Sequence, residues 1–342
     1  MNPATDPILE TDRLRFGYGK GTRSERALGG PFDLRLRRGQ LVCLLGPNGA
    51  GKSTLLRSLC GFLSPLGGTV RVAGKPLDDY SPRELARIRG VLPTREHPPA
   101  GMSARELVSL GRHPHSNWAG KLTPADESAI DAAFEETGSQ QFQSRPVGEL
   151  SDGERQRVAL ARLLAQNPEL AFLDEPAAFL DLPSRIEILG KLAEIAHSRR
   201  IAVLLTTHDL ESALRHADRI WLLGAGGLWN EGSPEDLVLA GAFERTFPSP
   251  LLHFDIAQGN FHPPTQSGTP IQLNGPEPYR LWTARALQRN GWTASSTAEN
   301  TRRIEIIQSK GSAQWVIHNT DGNSETTHSI DNCLYRLKAP QV

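Results

Sequence analysis

Gly46-Pro47-Asn48-Gly49-Ala50-Gly51-Lys52-Ser53, followed by Thr54, fits the phosphate-binding pattern G-x-x-x-x-G-K-[ST] without a gap. The chemistry follows from the residue types. Glycines let successive backbone N–H groups turn inward with no Cβ in the way, and a helix start adds its partial positive charge at the same point. Lys52 then reaches the β- and γ-phosphates of a nucleoside triphosphate, and the Ser53 hydroxyl takes a place on Mg²⁺. Farther along, Asp174-Glu175 end the apolar run Leu170-Ala171-Phe172-Leu173. A buried strand has little structural use for adjacent acids, and the carboxyl ends of strands are where open α/β sheets bind ligands, so this pair reads as a metal and water site. Ile201 to Thr207 ends likewise in His208-Asp209. By itself a histidine after a strand reads as structural.

These groups need elements to hold them. Leu41-Val42-Cys43-Leu44-Leu45 predicts a short buried strand before the phosphate loop, and Ser53 to Leu63 a helix after it. Residues 8 to 40 alternate as antiparallel strands do, with a glycine-rich turn through Gly17, Gly19 and Gly21 that also carries Tyr18. Tyr18 reads either as a solvated turn residue or as a ring for an adenine face. Thr69 to Val72 predicts a strand and Asp78 to Arg89 a helix starting near Ser81-Pro82. From Gly90 to about Gly148 helices and loops take over, including Met102 to Leu110, opened by the capping box Ser103/Glu106, and Pro124 to Thr137. Leu150-Ser151-Asp152-Gly153-Glu154 then opens a helix to Gln166; read structurally, Ser151 and Glu154 form a second capping box.

The chain has 342 residues, enough for two domains, and 38 basic against 38 acidic side chains. That balance provides no overall field for nucleic acid or an anionic membrane. Cysteines at 43, 60 and 333 have no paired spacing, which predicts reduced thiols and no metal site. Met1 to Leu9 has no apolar core of a secretory signal, and no stretch is apolar for long enough to span a membrane, so any membrane role is expected to be that of a soluble partner.

Taken together, the elements from about residue 8 to 245 resemble the nucleotide-binding subunit of an ATP-binding cassette (ABC) transporter. Gly46 to Ser53 matches Walker A, and Leu150 to Glu154 is similar to the L-S-G-G-Q signature, with Asp152 for the first Gly and Glu154 for the Gln. Leu170 to Glu175 resembles Walker B with its following glutamate, Phe179-Leu180-Asp181 the D-loop, and His208 the switch histidine. The resemblance implies an α/β fold: a P-loop NTPase domain with a RecA-like core, an antiparallel β layer and a helical subdomain at about 90–150, over residues 1–247. It implies ATP and Mg²⁺ as cofactors, with Tyr18 on adenine, Gly46, Pro47, Asn48, Gly49, Ala50, Gly51, Lys52, Ser53 and Thr54 around the phosphates, and Ser53 and Asp174 on the metal. By the same resemblance Glu175 would polarise the attacking water and His208 would contact the γ-phosphate, alongside Lys52. Ser151, Asp152, Gly153 and Glu154 would serve the opposite subunit's nucleotide, with Asp181 in the D-loop. One Walker A and one signature per chain imply a homodimer, joined to two integral-membrane permease subunits and, indirectly, an external substrate-binding protein, at the cytoplasmic face of the membrane and without nucleic acid.

Glu106-Leu107-Val108-Ser109-Leu110-Gly111-Arg112-His113-Pro114-His115 resembles the segment of importers for iron(III)-siderophores, haem and cobalamin. His113 and His115 read as loop residues at a helix end. The chain departs from the family at the Q-loop: no glutamine lies between 90 and 101, leaving Thr94 or Glu96 to supply an oxygen to Mg²⁺. Beyond Phe247 prolines mark a linker, and 248–342 is expected to hold a small α+β domain of unassigned role. The alternatives are the ATPase of another branch such as an exporter, a soluble ABC ATPase acting on ribosomes or DNA, and a nucleotide-gated regulator. The missing second cassette and balanced charge oppose the soluble ATPase; Glu175 and His208 oppose the regulator.

Overall fold

The computed structural model describes residues 7–94, 98–99, 101–116, 121–263, 268–297, 301–309 and 312–338. The chain divides into two compact units, Met1–His262 and Pro263–Val342. The first begins with an antiparallel layer. β1 (Pro7–Tyr18), β2 (Arg26–Phe32), β3 (Arg35–Arg37), β5 (Gly67–Val72) and β6 (Lys75–Pro76) pair around β1. Between β3 and β5 run β4 (Leu41–Leu45) and α1 (Lys52–Leu59), the strand and helix that flank the phosphate loop.

β4 lies inside a second sheet. α2 (Pro82–Ile88), β7 (Arg89–Leu92), α3 (Ala104–Ser109), α4 (Pro124–Glu136), α5 (Asp152–Ala165), β8 (Leu170–Asp174), α6 (Leu182–Arg199), β9 (Ala202–Thr206), α7 (Leu210–His216), β10 (Arg219–Leu223) and β11 (Trp229–Gly232) follow in order. The strand order is β11-β10-β4-β9-β8-β7, parallel except at the β11 edge. The strands read as continuous apolar runs because both faces are covered. Val42 and Leu44 enter one core with α1 and the antiparallel layer, whereas Leu41, Cys43 and Leu45 enter another with α3 to α6. Cys43 is fully buried and free, and burial pushes its thiol well up, so it is inert.

Expected and observed elements differ where the local signal is short. Arg89–Leu92 is an edge strand beside β8, although Gly90 reads as the start of the helical insert. α8 (Pro234–Leu239) and α9 (Ala242–Thr246) precede a hairpin, β12 (His253–Asp255) and β13 (Asn260–His262), in the stretch expected as linker. Phe254 stacks on Phe243 with centroids 5.1 Å apart, and Phe261 meets Phe247 edge-on, so aromatic burial ties the hairpin to the first unit.

The second unit has a five-stranded sheet of its own. β14 (Thr269–Asn274), α10 (Tyr279–Arg289), β15 (Trp292–Ser295), β16 (Arg303–Ser309), β17 (Ser312–His318), β18 (Ser324–Thr327) and α11 (Ile330–Lys338) give the order β15-β14-β16-β17-β18. Ile271, Leu273, Ile304, Trp315 and Ile317 pack with Leu287, Cys333 and Leu337 of the helices. Burial pushes the Cys333 thiol up to about 12. No helix among the described residues is long and apolar enough to cross a membrane.

The Gly111-Arg112 pair explains how the helical insert holds together. A Cβ on Gly111 would come within 2.3 Å of the Arg162 carbonyl oxygen, so only glycine lets this turn lie on α5. Arg112 donates Nε–H to Asp126 Oδ1 at 2.8 Å and Nη1–H to the Ala165 carbonyl at 2.8 Å, joining the start of α4 to the end of α5. Asp126 is only 4% exposed, and bonds from Thr123, then Arg112, hold its carboxyl at about 2 against an ordinary 3.8. A carboxyl depressed in the folded state stabilises above its unfolded value and loses that contribution as pH falls through the folded one. Asp126→Asn should therefore cost about 2 kcal/mol at pH 7. Urea unfolding of both proteins from pH 7 downward checks this: the gap is expected to narrow between about pH 4 and pH 2.

Candidate functional site

The site forms where β4, β8 and β9 end. Gly49 and Gly51 have φ of +78° and +103°, a conformation that side chains rarely adopt, and a Cβ on Gly49 would meet nothing within 4 Å. The loop is thus an open cradle over the first turn of α1. Lys52 is 6% exposed and folds back over the cradle, donating to the Gly46 carbonyl at 2.9 Å and the Pro47 carbonyl at 3.2 Å. Burial lowers its pKa, while the fields of Glu175 and Asp174 act the other way. Ser53 Oγ donates to Asp174 Oδ1 at 3.0 Å. A hydroxyl and a carboxylate oxygen in contact are the hard donor pair that fits Mg²⁺.

Asp174 ends β8, one strand removed from β4. The intervening β9 closes the gap: Thr206 Oγ1 donates to Asp174 Oδ1 at 2.7 Å and accepts the Glu175 N–H at 2.9 Å. Glu175 sits at φ +50°, in the left-handed region, and its Oε1 lies 2.7 Å from His208 Nε2. Lys52, Ser53, Asp174, Glu175 and His208 therefore meet at the carboxyl ends of the inner strands although the sequence scatters them. Tyr18, 47% exposed at the end of β1, shares a 2.7 Å hydrogen bond with Thr54 Oγ1 in the first turn of α1, which sets its ring beside the loop.

The signature residues lie at the start of α5. Ser151 caps the helix: its Oγ accepts the Glu154 N–H at 3.3 Å, and Glu154 Oε2 accepts the Ser151 N–H at 2.8 Å. The Ser151 bond, with Arg145 Nη1 at 3.1 Å, holds the Glu154 carboxyl below its ordinary value. Asp152 pairs with Arg155 at 3.1 Å, and Gly153 follows it in the first turn. Asp181 caps α6 by accepting the Ser184 N–H at 3.0 Å, and the Ser184 side chain, then that N–H, lower the pKa of its carboxyl. A cavity of about 290 Å³ is walled by Thr94, Asp152, Arg155, Gln156, Glu175 and Phe179, among others. Thr94 thus faces the same space as Glu175, whereas Glu96 lies outside the described residues. Among the described residues no group of three His, Cys, Asp or Glu could hold a metal ion, and His115 Nε2 bonds the Gln166 carbonyl at 2.9 Å. The sequence reading missed Thr206; a hydroxyl at the end of an otherwise apolar buried strand was its signal.

Comparison with known proteins places the chain in a family. The ABC transporter family model matches residues 30–178, and the model for the iron ABC transporter C-terminal domain matches residues 267–338. The chain is similar to the hemin import ATP-binding protein of Burkholderia pseudomallei, with 40% identity over 270 residues, covering 74% of this chain and 97% of that one. It is similar to the achromobactin transport ATP-binding protein of Dickeya dadantii, with 36% identity over 72% of this chain and 92% of that one. Among solved structures, cbiO1 of Clostridium perfringens, part of the ABC transporter complex cbiONQ, superposes with a TM-score of 0.61 at 28% identity, over 70% of this chain and 94% of that one.

The capping geometry makes one local expectation. Ser151→Ala removes the Oγ acceptor at the start of α5 and should lower stability by about 1 kcal/mol, with Ser151→Thr close to wild type, as read by the midpoint of urea unfolding.

Proposed function

The chain belongs to the ATP-binding proteins of ABC transporters, and on that premise we propose that it hydrolyses ATP to drive import of an iron(III)-siderophore or haem. One observation carries the mechanism: a buried lysine, a hydroxyl, two carboxylates and a histidine converge over an open phosphate cradle at the end of a parallel sheet. The iron-type C-terminal domain and the hemin and achromobactin relatives support the cargo class.

Phosphoryl transfer needs positioning and charge neutralisation more than covalent chemistry. The loop N–H groups and the start of α1 bind the phosphates, and Lys52 leaves its two carbonyl partners for the β- and γ-oxygens. Tyr18 offers its ring to adenine. Ser53 and Asp174 would hold Mg²⁺, which when bound would screen the charge of the phosphate oxygens. Glu175 accepts a proton from the attacking water, and His208, 2.7 Å from Glu175, fixes that carboxylate and reaches toward the γ-phosphate. Thr94 contributes its hydroxyl where relatives use a glutamine. Ser151 and the Gly153 N–H address the γ-phosphate of a second copy, with Asp152, Glu154 and Asp181 along the same contact. Two copies then enclose two nucleotides, and the homodimer works at the cytoplasmic face of the membrane with two permease subunits and an external binding protein.

Lys52→Ala should abolish ATP binding in a fluorescent-nucleotide titration. Glu175→Gln should keep binding, lower turnover by about 10²–10⁴-fold, and shift to a dimer with ATP in light scattering. Normal hydrolysis by Glu175→Gln would overturn the assignment of the base.

A further inference from the structure

We propose that Thr206 is a positioning residue for ATP hydrolysis, its hydroxyl holding Glu175 and Asp174 in their working orientation; this rests on the reading of Glu175 as the group that activates water. Thr206 is fully buried at the end of β9, where it is the cross-strand partner of both Leu44 and Asp174. Its hydroxyl has one proton and free lone pairs, and both are used across the strand. The proton goes to Asp174 Oδ1 at 2.7 Å, and a lone pair takes the Glu175 N–H at 2.9 Å. The directions are fixed, because an amide N–H can only donate and a carboxylate can only accept.

Each bond has a consequence at the site. Glu175 holds φ +50°, which a residue with a side chain adopts at a cost; its amide is held by Thr206 and its carbonyl accepts the Ala178 N–H at 3.1 Å. With the backbone so turned, the carboxylate meets His208 Nε2 at 2.7 Å. Released from Thr206, the Glu175 peptide is free to return to the ordinary region, and its carboxylate swings away. Asp174 Oδ1 receives two hydroxyls, Ser53 at 3.0 Å and Thr206 at 2.7 Å. Were Ser53 to turn to a cation, Thr206 would be the hydroxyl left on Asp174 Oδ1, and it would hold that carboxylate in place.

The experiment is steady-state ATP hydrolysis by the full chain carrying Thr206→Val, which keeps the shape and loses both bonds, or Thr206→Ser, which keeps both bonds. Thr206→Val should lower kcat about tenfold or more with KM for ATP within about threefold of wild type, and Thr206→Ser should restore most of the rate. In a Glu175→Gln background, Thr206→Val should lower the residual rate by clearly less than its effect in the wild type, because no base is left to position and only the bond to Asp174 is lost. Wild-type kcat in Thr206→Val, an equal loss in Thr206→Ser, a rise in KM alone, or a full loss that persists in the Glu175→Gln background would each overturn the proposal. A Glu175→Gln protein that turns over normally overturns instead the reading on which it rests. Should Thr206→Val fail to fold, amide hydrogen exchange of wild-type Glu175 decides: strong protection supports the bond to Thr206, and exchange at the rate of an open loop excludes it.

Discussion

The structure depends on holding a buried ammonium in the field of two carboxylates at the carboxyl ends of the inner strands of an apolar sheet. Lys52 loses most of its water there, and desolvation lowers its pKa. Two carbonyls of its own loop and the fields of Glu175 and Asp174 offset that loss. In the proposed mechanism the carbonyl bonds to Lys52 are exchanged for phosphate oxygens while the sheet stays in place. Both cores serve this purpose. One seats α1 and the antiparallel layer against β4, and the other seats α3 to α6 behind β8 and β9.

Strand order explains how distant residues meet. β9 lies between β4 and β8, so the phosphate loop and Asp174 are separated by one strand, and the Ser53 hydroxyl reaches across its end. The helical insert is held by different means. Gly111 allows close approach to α5, Arg112 joins α4 to α5, and Arg83 and Arg87 of α2 bond the carbonyls of 114 and 116. The motif Glu106 to His115 is thus a packing device in this chain, with Glu106 closing the capping box at Ser103.

The phosphate loop was legible because its chemistry resides in consecutive residues. The capping boxes at Ser103 and Ser151 were legible for the same reason, since each bond closes within three residues. Arg89–Leu92 was not, because a four-residue edge strand gives too short a period and begins at a helix end. β15 and β18 are likewise four residues long, and β18 is polar along most of its length. The hairpin at His253 to His262 hides among prolines, and its cause lies in Phe243 and Phe247, which belong to another element. The Thr206 hydroxyl stands out at the end of an apolar strand, but its partners do not: they are the last residue of the neighbouring strand and the one after it, and only the register brings them together.

The most direct test of the account is to capture the membrane partner of the ATP-bound state. Tagged Glu175→Gln protein, incubated with ATP and solubilised native membranes, is recovered and its companions are identified by mass spectrometry. The account predicts a polytopic importer permease that, once purified with this chain, hydrolyses ATP in response to an external protein loaded with iron(III)-siderophore or haem. Recovery of ribosomes or DNA-repair proteins with no membrane partner would contradict it.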